Sequence, residues 1–506
     1  MKCNLFQSDL LDNLKSLDKE KIIFVEKGKS YTVGTLLDKS EKLAINLIKN
    51  GFGNHERVVL AIAPSYELIV SVFALMQLNS VIALIDPEMG KENYQSKIDQ
   101  FQPTWAFVDS RLLFLNEHPI IKHLYQKYNK NPLSFPTNNF CKIVKTGMNL
   151  PLYRQYLTLN KLLDEKNIEI NFITANVNEP FMITYTSGTL SEPKGVVHSI
   201  KTISESIFSL RSLLKSEDTK LASHLPHFIL LGVILGIETY LIPQNISTNA
   251  KVELIKNNEI TTLFAPPVEY QELVQYCIEN QTKLPNSLRH LFFGSAPVYP
   301  KFLQKIIGFV EDNVLLTCLY GMTENLLVCA IDGREKATYT GEGDIVGKPL
   351  KDVSIRIVDD EIELSSPQLF LGYFSLSKSD AFHNTGDLGK INSDGNIILL
   401  GRKKDMIIRR NTNIYPGLYE PTIAKINGVD EVAMVGIYDE IINDEKVILV
   451  VDGSISKSKL ISELKSGIYS IDNEAFPDEI IFMKIPKSGR QNKTDKKQLR
   501  NLLYEN

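Results

Sequence analysis

Tyr185-Thr186-Ser187-Gly188-Thr189-Leu190-Ser191-Glu192-Pro193-Lys194-Gly195 is flanked by the apolar run Phe181-Met182-Ile183 on one side and Val196-Val197 on the other. Apolar, partly β-branched runs on both sides of a Gly/Ser/Thr/Pro-rich segment read as two strands joined by a loop. The loop concentrates hydroxyls, glycine amides and one lysine, the donors and the cation that a polyphosphate requires. It is not a Walker loop, because the second glycine before the lysine is absent and no Ser or Thr follows Lys194. A Ser/Thr-rich hairpin turn would look similar, so its meaning depends on the chain around it.

Upstream, strand-like and helix-like patterns alternate. Arg57 to Ala63 reads as a strand, Ser65 to Met76 as a helix and Val81 to Ile85 as a strand. Ser96 to Phe101 then reads as a helix and Trp105 to Val108 as a strand. This βαβα rhythm implies a parallel sheet with helices on its faces. Leu68 to Ile85 carries no charge, but Gln77-Leu78-Asn79-Ser80 interrupts it, so it reads as a buried helix feeding a buried strand rather than a membrane span. Arg111 to Asn178 has less pattern, and its polar run Gln126 to Pro132 suggests a surface insertion or a flexible connector. Beyond Asp394-Gly395-Asn396 the pieces become short and hairpin-like, with strands near Glu431 to Ile437 and Lys446 to Val451. The expectation is an α/β chain of two unequal domains, 1–400 and 401–506.

Composition narrows the class. Of 506 residues, 43% are hydrophobic and 23% charged, which excludes a disordered or fibrous chain. With 56 Lys and Arg against 60 Asp and Glu, there is no broad basic footprint to suggest nucleic acid as a partner. Five scattered cysteines without CxxC spacing fit a reducing compartment better than a disulfide framework or a zinc site. The first residues lack an apolar signal-peptide core, so a cytoplasmic protein is expected. Lys484 to Arg500 carries seven Lys and Arg against one acid, ordinarily the mark of a solvated tail.

Three further segments bear chemistry. Tyr320-Gly321-Met322-Thr323-Glu324 follows the apolar run Val314-Leu315-Leu316 and so sits at a strand end. There a ring can stack on a base, a hydroxyl can reach a phosphate and a carboxylate can hold Mg²⁺. Thr385-Gly386-Asp387 offers a carboxylate of the kind that accepts from ribose hydroxyls. Gly401-Arg402-Lys403-Lys404-Asp405 opens the second block.

In this order the four segments resemble the adenylate-forming superfamily, which includes acyl-CoA synthetases, peptide-synthetase adenylation domains and luciferases. The resemblance runs from Tyr31-Thr32 to Lys493. It implies a large N-terminal α/β domain of mixed sheets with helices on both faces, a small mobile α+β C-terminal domain, and ATP and Mg²⁺ chemistry. By resemblance, Thr186, Ser187, Gly188, Thr189 and Lys194 hold the β- and γ-phosphates. Gly294-Ser295-Ala296-Pro297 lines the adenine, and Tyr320, followed by Gly321, stacks on it. Thr323 contacts the α-phosphate, Glu324 ligates Mg²⁺, and Asp387 and Arg402 bind the ribose hydroxyls. Lys404 matches the hinge position and Lys493 the catalytic lysine. The implied reaction is AMP-forming activation of a small-molecule carboxylic acid, with an apolar acyl chain, followed by transfer to CoA or to the phosphopantetheine of a carrier protein.

The chain departs from the pattern at Leu190-Ser191, at Ile229, at Asn411 and at Asn492. The apolar run Phe228 to Ile237 after Pro226-His227 reads as a buried helix, or as an apolar pocket mouth. Ile85 to Gly90, Leu225 to Pro243 and Leu284 to Val298 look most like olefin β-lactone synthetases and their "peptide synthase" relatives. Closure of a 3-hydroxy acyl-adenylate on its own hydroxyl is therefore an alternative to thioester formation. A degenerate, regulatory nucleotide-binding protein is a third reading. The acid and the oligomeric state are not indicated.

Overall fold

The computed structural model describes residues 2–85, 91–117, 140, 142–147, 155–164, 169–185, 194–214, 219–244, 246–374, 381–409, 412–439, 444–466, 468–469, 471–473, 475–488 and 493–504. The chain forms two compact units. One holds Met1–Leu263, Met322–Leu326 and Pro367–Ser379, and the other Phe264–Gly321, Leu327–Ser366 and Asp380–Asn506.

In the first unit, Val81–Leu84, Arg57–Ala61, Trp105–Asp109 and Lys142–Thr146 lie side by side as parallel strands, in that spatial order. Pro180–Tyr185 joins the Val81–Leu84 edge in parallel, and Gly195–Ser199 then turns back antiparallel to it. Strands covered on both faces carry near-continuous apolar runs, and Val58, Val59, Ala83, Ala106 and Ile183 are indeed buried. Tyr66–Gln77 is a helix capped by the Ser65 hydroxyl, which accepts from the Leu68 N–H. Its side chains from Leu68 to Gln77 are all buried, as a helix apolar on every side requires. Among the described residues, no helix is long and apolar enough to cross a membrane. Lys142–Thr146 is a strand the sequence pattern does not announce, because Lys142, Lys145 and Thr146 interrupt its apolar residues. Pairing with Trp105–Asp109 fixes it.

The same unit contains a second parallel set, with Lys220–Ser223 between Glu238–Leu241 and the start of Thr262–Ala265. The connecting helix Pro226–Ile234 is buried from Phe228 to Ile234. Its Gly232 is required by close approach, since a Cβ there would stand 2.4 Å from Thr239 Oγ1. The apolar run is thus a core helix, the simpler of its two readings.

In the second unit, His290–Phe293 and Leu315–Met322 pair in parallel. Asp344–Pro349, Ile397–Arg402, His383–Ile391, Glu361–Ser365 and Ser354–Val358 form an antiparallel ladder. Val429–Asp439 and Asp444–Gly453 form a long hairpin that Glu479–Phe482 extends in parallel. Both expected strands are present and longer than the sequence suggests. Ile407, Ile423, Met434, Leu449 and Leu460 fill the core beneath them.

Candidate functional site

The ladder register sets Asp387 directly opposite Arg402. Their side chains meet, Arg402 Nε to Asp387 Oδ1, at 2.6 Å. Asp387 is buried, and its other oxygen accepts a 2.5 Å hydrogen bond from the Tyr320 hydroxyl. Thr385 steadies the turn in the strand: its hydroxyl donates to Ile362 O at 2.7 Å and accepts from the Asp387 N–H at 3.0 Å. Between them Gly386 has φ +71°, which favours glycine. Burial, and then the charge of Asp387, push the Tyr320 phenol well above its ordinary range, so it remains a donor.

Lys493 opens the short strand Lys493–Thr494, which pairs with Lys487–Ser488. Its side chain keeps solvent contact, yet enough protein surrounds the ammonium that burial lowers its pKa. Repulsion by Arg402 lowers it further, while Asp387 pulls the other way. The lysine near the end of the sequence therefore stands within electrostatic reach of the Asp387–Arg402 pair. A cation held slightly destabilised in this way is relieved by an arriving anion.

Gly294-Ser295-Ala296-Pro297 leaves the C-terminal end of His290–Phe293, beside the end of Leu315–Met322 that carries Tyr320. Crevices at the carboxyl ends of parallel strands are where α/β sheets take ligands. Ser295 has φ +68°, and a Cβ on Gly294 would lie 3.1 Å from Phe264 Cζ, so the backbone here passes close to its neighbours. Gly321 is exposed beside Tyr320.

The turn Lys403–Asp405 follows at once. Lys403 Nζ is 2.8 Å from Glu361 Oε2, and Asp405 Oδ1 is 3.3 Å from Arg500 of the terminal helix Lys496–Tyr504. Lys404 lies exposed between these two anchored neighbours.

A second group forms in the first unit. Tyr373 pairs with the Gly195–Ser199 strand opposite Val196, and its hydroxyl donates to Glu324 Oε1 at 2.8 Å. Lys194 Nζ lies 5.2 Å from the centre of the Tyr373 ring, within cation–π range. The Glu324 backbone carbonyl accepts from Phe370 N–H at 2.8 Å. His198, buried, places Nε2 2.8 Å from Thr323 O and Nδ1 3.1 Å from Thr202 Oγ1. Burial lowers its pKa against the opposing pull of Thr323 and Glu324. A neutral ring donates from Nε2 to the carbonyl and accepts at Nδ1.

The structure thus gathers Tyr320, Asp387, Arg402 and Lys493 in one group, and Lys194, Thr323 and Glu324 in another. Thr186, Ser187, Gly188 and Thr189 lie outside the described residues, as do Leu190, Ser191, Asn411 and Asn492. Their frame is described: Tyr185 pairs with Gly195 at the mouth of the hairpin. His198 and Tyr373 were not expected from the sequence. Four residues past Lys194, His198 lies on the strand leaving the loop, a faint signal. For Tyr373 there is none, because its partner Glu324 is 49 residues away.

Residues 13–374 match the family model described as "AMP-binding enzyme". A 2-succinylbenzoate–CoA ligase of Bacillus mycoides is 23% identical over 97% of this chain and 95% of its own length. A 3-[(3aS,4S,7aS)-7a-methyl-1,5-dioxo-octahydro-1H-inden-4-yl]propanoyl:CoA ligase of Mycobacterium tuberculosis is 26% identical over 63% of this chain and 66% of its own length. Among solved structures, the amide bond synthetase McbA from Marinactinospora thermotolerans superposes with a TM-score of 0.79 at 19% identity, over 98% of this chain and 99% of its own. O-succinylbenzoate coenzyme A synthetase from Bacillus subtilis, in complex with ATP and magnesium ion, gives 0.77 at 20% identity, over 98% and 99%. The family match covers well over half of the sequence, and the fold is shared from end to end. The chain belongs to the AMP-binding enzyme family, within the adenylate-forming superfamily that its sequence resembles, and is an AMP-forming acid ligase.

Proposed function

We propose that this enzyme activates an organic carboxylic acid of largely apolar body as its acyl-adenylate and passes the acyl group to a thiol, that of CoA or of a carrier protein. The carrying observation is the Lys493 ammonium within the field of the Asp387–Arg402 pair. In the first step a carboxylate oxygen attacks the α-phosphorus, the bond to the β-phosphate oxygen breaks, and pyrophosphate leaves with the negative charge. Two anions must meet, so the barrier is chiefly electrostatic, and a positioned lysine offsets the charge that develops. In the second step a thiolate takes the acyl carbon and AMP departs.

Asp387 and Arg402 suit a ribose: a carboxylate accepts from its hydroxyls, and the guanidinium donates. Tyr320, Gly294, Ser295, Ala296 and Pro297 would meet the base, and Thr186 to Thr189 with Lys194 the outer phosphates. Glu324 fits a magnesium ion, since Tyr373 holds one of its carboxylate oxygens and leaves the other without a partner among the described residues. Mg²⁺ commonly takes one or two carboxylates together with phosphate oxygens and water. There it would neutralise phosphate charge. The relatives named as CoA ligases support a thiol acceptor. The boundary near Gly401 and a hinge at Lys404 belong to the same reading.

Acid-dependent exchange of labelled pyrophosphate into ATP, run across a panel of aliphatic and aromatic acids, tests the first step. At least one acid should support exchange. Silence across the panel with folded enzyme would sink the proposal.

A further inference from the structure

The spatial order Val81–Leu84, Arg57–Ala61, Trp105–Asp109, Lys142–Thr146 follows the chain order 2-1-3-4. In such a sheet, successive connections part to opposite sides between strands 1 and 3. A crevice opens there at the carboxyl ends, which is the rule for where open α/β sheets bind ligands. A cavity of about 650 Å³ lies at this point, lined by Ile62–Glu67 after the first strand, Asp109 and Arg111 at the end of the third, and Gly147 at the end of the fourth. That volume is within the usual range for small-molecule sites. None of the residues assigned above to nucleotide, metal or catalysis lines it.

The lining also has a chemical character. Tyr31 and Tyr66 stack with ring centres 3.6 Å apart and planes 13° from parallel. Pro64, Val70 and Leu163 extend the apolar wall. The three carboxylates are already committed. Glu26 accepts from the Tyr66 N–H at 2.9 Å, Glu67 from the Gly147 N–H at 3.0 Å, and Asp109 accepts from Arg111 through both oxygens, from Nε at Oδ1 and from Nη2 at Oδ2. Lys29 and Lys39 are not: each ammonium sits over one ring of the tyrosine pair, at 5.2 and 5.4 Å, with no carboxylate partner among the described residues. Two uncommitted cations beside an aromatic wall select an anion attached to a flat apolar body.

We infer that this crevice is a second ligand site, for a small planar organic acid whose ring lies against the tyrosine pair and whose anionic group meets Lys29 and Lys39. The site stands independently of the adenylation reading.

The probe is 2-naphthalenesulfonate, titrated calorimetrically into the full chain with AMP saturating. One saturable site is expected. Lys39→Glu and Lys29→Glu should each weaken it at least about tenfold, the scale of a charge-assisted contact. Lys39→Arg should retain it, and Ala63→Trp, which fills the crevice, should abolish it. Melting temperatures should stay within about 2 °C of the parent, well under the shift of a core lesion. Pyrophosphate exchange should be unaltered by Lys29→Glu. Absence of saturable binding to the parent, or undiminished binding in the lysine and tryptophan variants, overturns the inference. Absence of exchange in the parent enzyme would bear on the adenylation reading instead.

Discussion

Asp387 answers to three groups at once: the Tyr320 hydroxyl, the Arg402 guanidinium and, through its field, the Lys493 ammonium. The last of these yields two predictions. Lys493→Ala should lower acid-dependent pyrophosphate exchange roughly 10²- to 10³-fold, as loss of a positioned charge stabiliser does, while equilibrium dialysis shows ATP binding nearly unchanged. Equal loss of both would show that the lysine serves binding rather than the step. The second concerns pH. Burial and Arg402 lower the Lys493 pKa, so its charge is lost at lower pH than that of an ordinary lysine. The ammonium is the active form, so exchange should decline on the alkaline side, and Lys493→Arg should remove that limb from whatever activity it retains. An unchanged limb in the arginine variant would assign it elsewhere. Glu324 offers a third test. Tyr373→Phe removes its 2.8 Å donor, worth about 1 kcal/mol, and should raise the Mg²⁺ requirement roughly fivefold. At this scale the motifs single out Tyr320, Asp387, Arg402 and Lys493 as candidates, but not as neighbours. They do not show His198 or Tyr373, because each acts through a contact between segments far apart in the chain.

The elements were legible where one periodicity governed them. Arg57–Ala61, Tyr66–Gln77, Val81–Leu84 and Trp105–Asp109 stand within a few residues of their sequence reading, since strands and a helix buried all round leave unbroken apolar runs. Lys142–Thr146 was not legible, because its polar residues are accommodated by the neighbouring strand and by burial rather than by local pattern. The turn Lys403–Asp405 is informative in the opposite way. Glu361 holds Lys403 and Arg500 holds Asp405, so any rotation is focused on Lys404. Proline at 404 fixes φ and disfavours the helical conformation of Lys403 before it. Lys404→Pro should therefore slow thioester formation more than pyrophosphate exchange, measured as separate half-reactions. Equal losses would argue against a hinge there.

For the whole molecule, the net charge of −4 gives no clue to the partner, whereas the basic segment Lys484 to Arg500 carries Lys493, the lysine proposed for the first step. The acceptor is decided by products: with an accepted 3-hydroxy acid, mass spectrometry should find acyl-CoA when CoA is present and no lactone when it is absent. A lactone formed without CoA would replace the ligase reading of the second step. Among the described residues, Cys277, Cys318 and Cys329 are buried and not joined in disulfides, packing as small apolar side chains do. The sequence alone determined the class of fold and the family, because apolar periodicity and short motifs are local properties that survive without a partner in view. Only the tertiary structure decided that Asp387 faces Arg402 and Tyr320, that Lys493 comes within reach of both charges, and that a crevice opens between strands 1 and 3. Those facts follow from strand register and strand order, set by burial and hydrogen bonding between segments that no local window contains.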